Sequence, residues 1–83
     1  MSVMGTKEMG RRIGLCEVFG DYETAEVVRR LLTDHELQVL IDAQDRSIKS
    51  LTNRGDKADD TFMRYEVKHL ELLKKEQERR AKQ

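Results

Sequence analysis

The clearest periodic stretch runs from Tyr22 to Leu32, where Ala25, Val28, Leu31 and Leu32 recur at three- and four-residue spacing. That spacing predicts a helix with an apolar stripe, and Asp21 stands where an N-cap is needed, with Glu23 and Glu26 near the positive end of the macrodipole. Arg29 and Arg30 then fall off the stripe and are expected to point outward. Upstream, RIGLCEVF from Arg12 to Phe19 is apolar and β-branched over strand length and ends at Gly20-Asp21, which predicts a strand. Glu17 shares a side with Ile13 and Leu15, so an edge or exit is expected there. Downstream of Asp34 the rhythm changes. One continuous helix to Leu51 would place Leu37, Leu40, Ile41, Ile48 and Leu51 away from the Ala25–Leu32 stripe. As a strand, LQVLIDA sets Leu37, Val39, Ile41 and Ala43 on one face, opposite Gln38, Asp42 and Gln44, so helix is expected to give way to strand near His35-Glu36.

Residues 44–60 form a polar connection with a turn at Asn53-Arg54-Gly55-Asp56. TFMRYEVK, residues 61–68, alternates Met63, Tyr65 and Val67 as a strand would. The same residues can begin a helix, with Phe62, Tyr65 and His69 on one stripe. Residues 69–83 are helical, with Glu71–Lys75, Glu76–Arg80 and Glu78–Lys82 pairs at i,i+4. Since Ala81 is the one apolar residue in 76–83, that end is expected to be solvated and dispensable for stability. The element order predicts an α+β fold, a ferredoxin-like β-α-β-β-α domain with a charged C-terminal helix; an all-α bundle or hairpin is the alternative. The chain divides into an arm over 1–11, which lacks periodicity and carries Gly5 and Gly10, and one domain over 12–83. Such a sheet would leave one face open, with Cys16, Val18 and Leu40 on it, and a homodimer would cover them.

The segment TAEVVRRLLTDHELQVLID, with Ala25-Glu26 opening a helix, Arg29-Arg30-Leu31-Leu32 near its end and Val39 to Asp42 closing a strand, resembles a small bacterial ferredoxin-like family described as signal-transducing proteins. The resemblance implies the same β-α-β start and a regulatory role. It brings no ligand or catalytic residue with it.

Composition alters this picture in two respects. Of 83 residues 39% are charged and 37% hydrophobic, with no Trp or Pro, so a small core and a polar extension are expected. Sixteen basic residues balance sixteen acidic ones, which removes any global attraction to nucleic acid or an anionic membrane. The single Cys16 excludes an internal disulfide and fits a reducing compartment; with no apolar run of membrane length and no h-region in MSVMGTKEMGRR, a cytoplasmic location is expected.

No chemistry-bearing constellation emerges. Cys16, His35 and His69 lack metal-ligand or nucleophile–base spacing, so no metal, cofactor or catalysis is expected. Arg54-Gly55-Asp56 is a turn, and Asp56, Asp59 and Asp60 lack calcium-loop spacing and suit a helix cap. The tail cations Lys74, Lys75, Arg79, Arg80 and Lys82 are interleaved with Glu71, Glu76 and Glu78, a solvated face rather than a phosphate contact. LCEVFGDYETAEVVRRLL also resembles a helix-turn-helix with Gly20 at the turn, but Glu23 and Glu26 would meet phosphates. The expected function is a non-catalytic regulatory or interaction module for a protein partner or small ligand, with Cys16, Val18, Leu40, Arg29 and Arg30 as its contact residues. The alternative is a helix-turn-helix-like DNA-binding protein or helical adaptor.

Overall fold

In the computed structural model, which describes residues 5–53 and 60–83, the helix that starts at Tyr22 ends at Leu31, and a second helix begins three residues later. Leu32 turns extended, at φ −66° and ψ 140°. Thr33 then opens a capping box: its hydroxyl accepts from the Glu36 backbone N–H at 3.1 Å, and the Glu36 carboxylate accepts from the Thr33 N–H at 2.9 Å. These bonds hold the Glu36 carboxyl below its ordinary pKa, the Thr33 backbone donor contributing most. The change of stripe after Asp34 is therefore a helix restart in a new direction, not a passage into strand.

Four helices result among the described residues: α1 over Thr6–Val18, α2 over Tyr22–Leu31, α3 over Asp34–Asn53 and α4 over Asp60–Ala81. No strand occurs among the described residues, so the ferredoxin-like α+β expectation is overturned in favour of an all-α fold. Residues 12–18, 37–43 and 61–68 are helical. Leu37 and Ile41 are in the core, Ile48 packs against it and Gln44 bonds Glu66 of α4; with Leu51 they recur at four-three-four-three spacing on one helix face, a pattern that mimics strand alternation only over a short window. α1 starts at Thr6, inside the stretch assigned to an arm, and the polar connection is shorter than expected because α3 runs to Asn53. The Arg54-Gly55-Asp56 turn and Asp56 and Asp59 lie outside the described residues.

The α1–α2 corner is a Schellman turn. Gly20 takes φ +81°, the left-handed conformation that glycine adopts without strain, while Asp21 N–H bonds Cys16 O at 2.8 Å and Gly20 N–H bonds Glu17 O at 3.1 Å. Asp21 caps α2 as expected, accepting from Thr24 N–H at 3.2 Å. α1 packs along α2 and α3 along α4, and the pairs close on a core of Ile13, Ala25, Leu32, Leu37, Ile41, Leu70 and Leu73. Leu31, expected on the buried stripe, is 68% exposed; Leu32 takes that role.

The tail of α4 corrects a second expectation. Arg80 donates to the carbonyls of Arg29 and Arg30 at 3.1 and 3.3 Å, satisfying the C-terminus of α2, and pairs with Asp34 at 2.9 Å. Gln77 donates to Gln38 at 2.6 Å, and Glu76 is buried. Deleting residues 76–83 is thus expected to lower the melting temperature clearly, measured by thermal denaturation, instead of leaving it unchanged. Glu76 adds a pH dependence. Hydrogen bonds from Arg79, then Arg80, outweigh burial and lower its pKa from 4.5 to about 2. The folded value is depressed, so its stabilisation is complete above pH 4.5 and is withdrawn as pH falls toward 2, amounting to roughly 3 kcal/mol by linkage. Between those pH values the parent should lose stability more steeply than Glu76→Gln in urea titrations.

Candidate functional site

A groove of about 370 Å³ runs between α1, α3 and α4. Its bed owes its shape to Gly10 and Gly14, one turn apart on α1. A Cβ at Gly10 would stand 2.7 Å from Leu40 Cδ2, so the Leu40 side chain lies where a side chain on α1 would otherwise be. A Cβ at Gly14 meets nothing within 4 Å, and that position opens onto the groove. Gly14→Ala is accordingly expected to stabilise the fold by about 0.5–1 kcal/mol through helix propensity, read from the urea midpoint.

Leu15, Val18 and Tyr65 form the lips and are each roughly half exposed, while Leu40 and Ala43 line the groove from α3. Its polar floor is a buried charge array drawn from three helices. Glu17 of α1 accepts from Arg29 of α2 at 3.0 Å through one carboxylate oxygen, and its other oxygen pairs with His69 Nδ1 of α4. Glu17 and Arg29 are 6% and 7% exposed, which makes mutual neutralisation the condition for their burial. Glu66 is held by Gln44, whose side-chain amide donates to its carboxylate at 2.6 Å and to its carbonyl at 2.9 Å. Lys7 and Arg11, on the α1 rim, have no ionic partner among the described residues.

Of the residues expected to make contacts, the structure brings Val18 and Leu40 into this groove and separates the other three. Cys16 is half-buried against the core. Arg29 is an internal ion-pair partner rather than an outward cation, because Glu17, placed at an edge by the strand reading, lies on the core face of a helix with Ile13. Arg30 is exposed but held by Glu26 at 2.9 Å. Leu40, expected on an open sheet face, packs on Gly10. The sequence reading missed Glu17 with His69, 52 residues apart, for which no local pattern exists. It also missed the Gly10-x-x-x-Gly14 spacing, a sign of close helix approach that becomes legible once α1 is known to be a helix. His35 is exposed at the start of α3.

Among the described residues no group of His, Cys, Asp and Glu could hold a metal ion, and no serine, threonine or cysteine lines the groove. No described helix is long and apolar enough to cross a membrane. Comparison with protein-family models, curated proteins and solved structures finds no match. The resemblance to a ferredoxin-like signal-transducing family falls with that result and with the all-helical fold, since Val39 to Asp42 lies within α3.

Proposed function

We propose that this chain is a non-catalytic helical interaction module that receives a segment of a protein partner in the groove between α1, α3 and α4. The observation that carries this reading is the combination of an open apolar trough, a floor on which Glu17 is neutralised by Arg29, and two cations at its rim, Lys7 and Arg11, without an ionic partner among the described residues. Helix-in-groove recognition uses apolar anchors along such a trough, with rim charges setting register. Lips as exposed as Leu15, Val18 and Tyr65 suit a chain segment better than an enclosed small molecule. A cytoplasmic setting goes with this reading, since the lone Cys16 is a half-buried thiol without a pairing partner.

The helix-turn-helix reading gains one feature, the Gly20 turn between α1 and α2. It loses on charge: Glu23 and Glu26 occupy the outward face of α2, where phosphates would be repelled. The test compares the immobilised parent with Gly14→Phe, which fills the groove at a position where a Cβ meets open space. Specific proteins captured from cell extract by the parent and absent from the variant, at unchanged melting temperature, are the expected result. Identical capture by both, or salt-sensitive retention of duplex DNA by both, overturns it.

A further inference from the structure

The groove has a counterpart on the same molecule. On the face of α2 turned away from the core, Glu23, Val27 and Leu31 follow one another at four-residue spacing. Val27 and Leu31 are 58% and 68% exposed, and Glu23 has no ionic partner among the described residues. On the α1 wall of the groove the order is the same with the opposite charge: Arg11, Leu15, Val18. At 1.5 Å rise per residue, successive members of both series lie about 6 Å apart or slightly less. A helix laid parallel to α1 would therefore set Glu23 beside Arg11, Val27 beside Leu15 and Leu31 beside Val18.

Resting on the groove as the binding site, we infer that its occupant is α2 of a second copy of this chain. The charges favour this pairing. Within the groove Glu17 is neutralised by Arg29, and Glu66, held by the neutral amide of Gln44, keeps its charge; against Lys7 and Arg11 the sign left over is still positive, and the sign left over on the α2 stripe is negative. An 83-residue chain with a small core and an apolar stripe on an outer helix gains by covering it. If the contact closes about a two-fold axis, each copy offers one groove and one stripe, and both are filled.

Sedimentation equilibrium of the full chain over the micromolar range tests this. The parent is expected to associate with concentration. Arg11→Glu and Glu23→Arg each place like charges together and should weaken association on the order of tenfold. Neither residue forms an ion pair among the described residues, so both variants should keep the parent's helical content. The double variant Arg11→Glu/Glu23→Arg restores the attraction in reverse and should return most of the lost affinity. A parent that is monomeric throughout, single variants that associate like the parent, or a double variant no tighter than the singles overturns the second copy as occupant. The capture comparison with Gly14→Phe decides separately whether the groove binds other proteins, so the two readings fail on different results.

Discussion

Arg29→Ala is expected to cost about 3–5 kcal/mol, because it leaves Glu17 buried with half its compensation gone. Glu17 retains only His69 from α4, and Arg29 is 7% exposed, so solvent does not replace the guanidinium without opening the α1–α2 contact. Removing both charges is a different perturbation. Glu17→Met with Arg29→Met leaves no carboxylate stranded in the core, and buried pairs replaced by apolar side chains are often neutral in stability. The double variant is therefore expected to recover much of what Arg29→Ala loses. Urea titration of the single and double variants checks this; a single variant within about 1 kcal/mol of the parent would mean that the array is solvated.

The second large effect is Leu73→Ala. Leu73 is fully buried and belongs to the core joined by Ile13 from α1, Ala25 from α2 and Leu37 and Ile41 from α3. Removing a buried leucine side chain leaves a cavity and costs about 2–5 kcal/mol, against a typical total of roughly 5–15 kcal/mol for a domain. At about 4–8 °C per kcal/mol for a chain of this size, the melting temperature should fall by at least 10 °C or so. Leu31→Ala, on the exposed face of α2, should shift it little.

How much of this was legible in the sequence depends on whether the deciding contact is local. α2 with its Asp21 cap could be read directly, because cap, acidic first turn and apolar spacing all lie within one segment. α3 carries an equally local mark, the Thr33-x-x-Glu36 box, but LQVLIDA alternates over seven residues as a strand does, and Leu37–Leu51 lie off the Ala25–Leu32 stripe, which counts against a helix until the restart at Thr33 is known. α1 was obscured by two glycines of poor helix propensity and by Glu17 in a core position, which an amphipathic pattern does not admit unless its partner is known. That partner is Arg29, twelve residues away on another helix, with His69 further still. The same holds for the tail: residues 76–83 look solvated by composition, yet Arg80 is held by the end of α2 and the start of α3, and Gln77 by Gln38 of α3. Val18 and Leu40 fall on one face of the expected sheet, and both line the groove for another reason, the packing of helices α1 and α3.

The groove, its charged floor and the α2 stripe all depend on α1, α3 and α4 being helices throughout their described lengths. Backbone 13C secondary chemical shifts measure that residue by residue. Continuous helical shifts over 6–18, 34–53 and 60–81, broken at Leu32 and Thr33, are the predicted result. Strand-type shifts over 12–19, 37–43 or 61–68 would contradict it and remove the groove along with the helices that form it.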